Sequence, residues 1–71
     1  MINLNISTNI SEEITIIIYN NIGEIVLRKD MLLNSGNNSH TFDVRQFAFG
    51  LYFVKLQKNN DISYIKFIKK Q

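Results

Sequence analysis

Residues 50–71 read Gly50-Leu51-Tyr52-Phe53-Val54-Lys55-Leu56-Gln57-Lys58-Asn59-Asn60-Asp61-Ile62-Ser63-Tyr64-Ile65-Lys66-Phe67-Ile68-Lys69-Lys70-Gln71. Two apolar runs of strand length flank an Asn-Asn-Asp turn, the pattern of a β-hairpin. A pleated strand sends alternate residues to opposite faces. Tyr52, Val54 and Leu56 therefore share the face expected to be core, with Lys55 and Gln57 opposite. In the returning strand Ile65 and Phe67 share one face, and Tyr64, Lys66, Ile68 and Lys70 share the other. Residues four apart on a strand lie about 13 Å apart on one side, so Lys66 and Lys70 are expected to present two ammonium groups from an exposed face. The hairpin runs to the last residue and is expected to be the end of the molecule, where a basic strand is an address that another protein could read.

Upstream, Ile2, Leu4 and Ile6 alternate with Asn3 and Asn5, the period of two that marks a half-buried strand. Residues 7–11 form a polar connector. Ile14-Thr15-Ile16-Ile17-Ile18-Tyr19 is too short for an apolar helix and too rich in β-branched side chains to favour one. It reads as a central strand, apolar on both faces. Asn20-Asn21-Ile22-Gly23 follows, and because Asn and Gly tolerate the positive φ of tight turns, residues 24–30 complete a first hairpin. Met31-Leu32-Leu33 stays apolar. Asn34-Ser35-Gly36-Asn37-Asn38 reads as a flexible loop and His40-Thr41-Phe42-Asp43-Val44 as a short strand. Arg45-Gln46-Phe47-Ala48-Phe49 is a compact connection with room for one helical turn, its two Phe expected to pack under the sheet. Six strands at nearly even spacing, no long helix and no Pro predict an all-β fold. The expected architecture is a small immunoglobulin-like antiparallel β-sandwich of six to seven strands.

Seventy-one residues support one domain that buries only roughly 60% of the surface its unfolded chain exposes. With no Cys and one His, the disulfides and metals that often staple small domains are not expected, and packing alone must hold the core. Apolar residues make up 45% of the chain, and Ile, whose stiff side chain suits a pleated surface, dominates them. No apolar run approaches the roughly 20 residues of a membrane-spanning helix, so no stable membrane insertion is expected. Residues 1–6 lack the charged start and apolar block of a signal peptide. If the protein is exported, that signal is expected upstream on a longer polypeptide.

The formal charge of +2 is unevenly spread: residues 51–71 carry five Lys and one Asp, residues 1–50 three cations and five acids. Those Lys are widely spaced and no Arg follows Arg45, so nucleic acid is not an expected partner. His40 has no second His, Cys or clustered acid at ligand spacing, which argues against a metal site. Glu12 and Glu13, adjacent on a strand, would point to opposite faces and so cannot work as paired carboxylates; they are expected in a solvated turn. No hydroxyl or amine has a partner base nearby, and so short a chain leaves little room for a substrate pocket. Neither an enzyme nor a cofactor is expected. Asn5-Ile6-Ser7, Asn9-Ile10-Ser11 and Asn37-Asn38-Ser39 match the glycosylation sequon, but ten Asn generate such triplets by chance.

Three segments, in their order and spacing, resemble the C-terminal sorting domain of the bacterial type IX secretion system (Por secretion system), type A form. Ile16-Ile17-Ile18-Tyr19-Asn20-Asn21-Ile22-Gly23-Glu24-Ile25-Val26 is similar to a family pattern of strand, Tyr-Asp/Asn, two residues, Gly, strand, with Glu24 where a basic residue is frequent. Phe47-Ala48-Phe49-Gly50-Leu51-Tyr52-Phe53-Val54-Lys55-Leu56 resembles its Leu-x-x-Gly-x-Tyr core, with Phe47 for the Leu. Lys66-Phe67-Ile68-Lys69-Lys70 matches its terminal basic motif. The likeness covers about residues 4–70; the Tyr-Pro-Asn-Pro-like opening usual in the family is missing from this Pro-free chain.

The resemblance implies that residues 1–71 are a single C-terminal sorting domain excised from a larger secreted protein. Such a domain directs an upstream cargo on the same chain from the periplasm across the outer membrane, to the surface or the medium. The implied partners are the type IX translocon, its outer-membrane shuttle and a sortase that cleaves the signal or attaches the cargo to the surface. The residues that match the motifs are Gly23, Gly50, Tyr52, Lys66, Lys69 and Lys70.

Some of these also have an architectural reading. Gly50 suits a backbone position with positive φ or a bulge before a strand, and Tyr52 suits a core ring whose hydroxyl meets a backbone partner at a strand corner. The three Lys suit protection of an edge strand against aggregation, and for them recognition and protection stand open together. A second class of function is an immunoglobulin-like accessory or spacer module that binds carbohydrate or a protein, though with no Trp and three Tyr it lacks the flat aromatics of a sugar binder. Free strand edges could pair between copies, yet a monomer is expected.

Overall fold

The computed structural model describes residues 1–59 and 61–70. Six strands, β1 (Ile2–Thr8), β2 (Glu12–Asn20), β3 (Ile25–Leu33), β4 (Gly36–Phe42), β5 (Gly50–Lys58) and β6 (Asp61–Lys69), follow in order with no helix among the described residues. They form an antiparallel β-sandwich: a two-stranded sheet β1-β4 and a four-stranded sheet ordered β3-β2-β5-β6. β2 is a central strand, as its apolar run predicts. Ile14, Ile16 and Ile18 are fully buried between the sheets, joined by Leu33, Phe42, Val44, Tyr52 and Val54. Ile17 points to the other face and is still only 8% exposed. It lies in register between Arg28 and Lys55, whose aliphatic stems can cover it.

The first hairpin turns where Asn and Gly predict it. Gly23 has φ +87°, and the Asn20 side chain knits the turn: its Oδ1 accepts from Ile22 N at 3.1 Å and Glu24 N at 2.9 Å. Glu24 fits this turn because Asn20 Nδ2 donates to its Oε1 at 2.8 Å. In the last hairpin Lys58 pairs with Asp61 and Asn59 takes a positive φ of 41°. The expected Asn59-Asn60-Asp61 turn also includes Asn60, which lies outside the described residues, as does Gln71.

Several expectations are corrected. The flexible loop predicted over residues 34–38 is confined to Asn34 and Ser35, since β4 starts at Gly36. Gly, Asn and Ser are poor strand formers, and tertiary pairing with β1 overrides that preference. Ser7 Oγ donates to Asn37 Oδ1 at 2.6 Å and Ser39 Oγ to Asn3 Oδ1 at 2.9 Å, cross-strand polar pairs that stabilise the ladder. Glu12 and Glu13 open β2 instead of forming a solvated turn. Glu12 is half-buried and sits 3.6 Å from Lys58 Nζ.

Within the final hairpin the predicted faces hold. Tyr52 and Val54 are buried and Leu56 packs against the core, while Phe67 and Ile65 stand in register with Tyr52 and Val54. Ile65 nevertheless remains 45% exposed, because two strands cannot cover four. The uncovered flank is an apolar cleft of about 280 Å³ that Ile2, Leu4, Phe42, Val54, Ile65 and Phe67 help to line.

Candidate functional site

Residues 43–49 join β4 to β5 and are organised by their own first side chain. Asp43 Oδ1 accepts from Arg45 N at 3.0 Å and Arg45 Nε at 2.9 Å, and Oδ2 accepts from the guanidinium at 2.7 Å. An Asp that bonds the backbone two residues ahead starts a turn. Phe47 N then donates to Val44 O at 3.0 Å and closes a β-turn, where the sequence left room for a helical one. Hydrogen bonds from Arg45 hold the Asp43 carboxyl well below the usual carboxylate range. Asp43 and Arg45 are both exposed, so the pair shapes the loop more than it stabilises the fold.

The two Phe of the loop part company. Phe47 packs against the core, its ring 5.2 Å from that of Tyr52, which in turn stacks on Phe67 at 5.2 Å. Phe49, expected beneath the sheet, is instead 62% exposed. Gly50 then turns the chain into β5 with φ +145°, a value essentially closed to residues with a Cβ. Tyr52 is buried to 5% exposure, and its hydroxyl donates to Ala48 O at 2.6 Å. The corner geometry predicted for Tyr52 is present.

β6 contributes the other half of the site. Lys69 stands in register with Gly50, and its parity with Ile65 and Phe67 turns it toward the core side. Its Nζ donates to Val44 O at 2.6 Å, Arg45 O at 2.8 Å and Phe47 O at 2.8 Å, and lies 5.7 Å from the centre of the Phe49 ring. Tyr52 and Lys69 between them hold the carbonyls of residues 44, 45, 47 and 48. The basic motif treated the three Lys alike, yet the same pleat that separates Phe67 from Lys66 also separates Lys69 from its neighbours. That alternation was the available signal for Lys69; nothing in the sequence marked its carbonyl partners.

Lys66 and Lys70 are exposed and line one shallow groove with Leu51, Phe67 and Ile68. β6 is the edge of its sheet, so both Lys stand where edge protection would also place them. Gly23 touches none of these groups, but Asn20 is in register with Tyr52. The first hairpin turn thus leaves the sheet at the end that carries Gly50 and Lys69. One end of the four-stranded sheet gathers all three motif segments.

A model of the secretion system C-terminal sorting domain family matches residues 2–70. The chain belongs to this family. No curated protein and no solved structure matches it. The sorting domain is a C-terminal signal of type IX secretion, carried by a cargo protein that the type IX machinery exports to the cell surface or the medium. The family is one of sorting signals and not a class of enzymes. Within the sorting domain, the Gly-x-Tyr segment and the terminal basic segment close upon each other through residues 43–49.

Proposed function

We propose that residues 1–71 are a single C-terminal sorting domain, excised from a larger secreted protein, and that it acts as a monomeric, non-enzymatic signal. It takes an upstream cargo from the periplasm through the type IX translocon, is met by the outer-membrane shuttle and the sortase, and is cleaved or used for surface attachment. Gly23, Gly50, Tyr52, Lys66, Lys69 and Lys70 form the signal. The observation that carries this reading is the convergence of the three motif segments on one end of one sheet. A signal read as a surface needs its parts on one side of the molecule, and a shared sheet end for the Gly23 turn, Gly50, Tyr52 and Lys69 supports that.

Lys66 and Lys70 supply the exposed charge of that surface. The test places the chain, with a Tyr-Pro-Asn-Pro-like opening restored ahead of it, at the C-terminus of a passenger with its own Sec signal peptide, in a bacterium that has a type IX system. The parent fusion should reach the surface or the medium. Replacing Lys66 and Lys70 by Gln removes both charges while leaving Lys69 in place, and should leave the fold within about 0.5 kcal/mol of the parent. Passenger should then accumulate in the periplasm. Normal export of the double variant would reduce the two Lys to edge protection, and failure of the parent fusion would favour an accessory module.

A further inference from the structure

We infer that Lys69 is the positioning residue of the signal: its ammonium fills a cage of three loop carbonyls, and it acts through its N–H donors instead of offering a charge to a partner. Three oxygens from residues 44, 45 and 47 converge on one nitrogen at 2.6–2.8 Å. A lysine ammonium has three donors and no acceptor, so all three protons are engaged. Bonds from a charged donor are roughly twice as strong as neutral ones. Val44 is buried and Phe47 half-buried, so the carbonyls they present are partly withdrawn from water and gain most from such a donor.

The cage fixes what surrounds it. Val44 O also accepts the Phe47 amide, so the ammonium and the turn share one acceptor. Phe47 leads to Ala48, whose carbonyl Tyr52 holds, and to Phe49 beside the ammonium. Without Lys69 the loop loses three of its anchors to the sheet, and Phe49 and the entry to β5 lose their fixed position. The terminal basic segment therefore divides its work. Lys69 locks the loop, and Lys66 and Lys70 remain outside as the free charges. A guanidinium would serve the cage poorly, because its donors diverge in a plane while the carbonyls point at a single position.

Because the chain has no Cys, a Lys69→Cys variant can be alkylated at that position alone. Bromoethylamine regenerates an ammonium on a side chain of lysine length; bromoethyl-trimethylammonium supplies the same charge on the same stem with no N–H. Hydrogen exchange at the Phe47 amide reads the loop, and exchange at the Ile16 amide of central β2 reads global opening. The unalkylated variant should exchange at Phe47 about tenfold or more faster than the parent, as loss of charge-assisted bonds implies, with a smaller change at Ile16. The aminoethyl adduct should restore parental exchange and the trimethyl adduct should not. Equal restoration by both adducts, failure of the aminoethyl adduct, or an unalkylated variant as well protected as the parent would each overturn the cage.

For its bearing on export the inference rests on the sorting reading, and a second arm tests that part. A passenger fusion with Lys69→Gln, Lys66 and Lys70 intact, should be retained in the periplasm where the parent fusion is exported. Lys69→Arg should fail to rescue it, although the charge is kept. Normal export of Lys69→Gln, or full rescue by Arg, would overturn the positioning role. A parent fusion that is not exported counts against the sorting reading alone, and the exchange measurements still decide the cage.

Discussion

Gly50 shows how a glycine can be required where there is room for a Cβ. A Cβ built on it would meet no atom within 4 Å, so no neighbour forbids a side chain there. The constraint is its φ of +145°, which places the cost wholly in the backbone. Gly50→Val should therefore destabilise the domain by about 1–3 kcal/mol, and Gly50→Ala by a similar amount because crowding adds nothing. Denaturant titration of the two variants checks this, and a loss confined to Val would show that side-chain bulk, not φ, is the reason for glycine. Tyr52 is the opposite case. Its ring is enclosed between Phe47 and Phe67 and its hydroxyl is bonded, so every part of the side chain has a partner.

At the scale of elements, the connection between β4 and β5 is held from both ends and from the side. Asp43 sets its first turn, Tyr52 holds the Ala48 carbonyl near its end, and Lys69 reaches across from β6. The Asp43 contribution carries a pH signature. Hydrogen bonds from Arg45 lower the folded-state pKa below the unfolded value of about 3.9. The stabilisation is then fully present above the unfolded pKa and is lost as pH falls through the folded one. As pH falls from about 4 toward the much lower folded-state value, stability should decline progressively, and Asp43→Asn should flatten that part of the profile while leaving the neutral-pH fold intact. Thermal melting across an acid series, at low salt because the pair is exposed, makes the comparison.

The whole molecule is an uneven sandwich. Two strands lie over four, and the flank beside β6 keeps Ile65 half in water beside an apolar cleft. β3 and β6 are free edges of the larger sheet, and edges with unpaired N–H and C=O groups invite association unless charge or twist blunts them. Lys66 on β6, with Lys70 just beyond it, and Arg28 and Lys29 on β3 provide that charge. Sedimentation at micromolar concentration should give a monomer, and a tight dimer there would show that an edge or the open flank is an interface.

What the sequence determined by itself was whatever depends on neighbours a few residues away. The period of two in Ile2, Leu4 and Ile6, the β-branched run through Ile16-Ile17-Ile18, the turn at Gly23 and the faces of Tyr52, Val54 and Phe67 all follow from strand geometry and local φ preference. The positive φ of Gly50 and the core ring of Tyr52 were legible in the same way. Tertiary structure decided the rest. β4 exists because β1 supplies a ladder that Gly36, Asn37 and Asn38 would not seek alone. Phe49 is exposed because residues 43–49 are pulled toward β6 and not tucked beneath the sheet. Lys69 differs from Lys66 and Lys70 because β6 pairs with β5 in the register that puts it opposite Gly50. Alternation says which side a lysine takes; only the packing of residues 43–49 against that side says that three carbonyls are waiting for it.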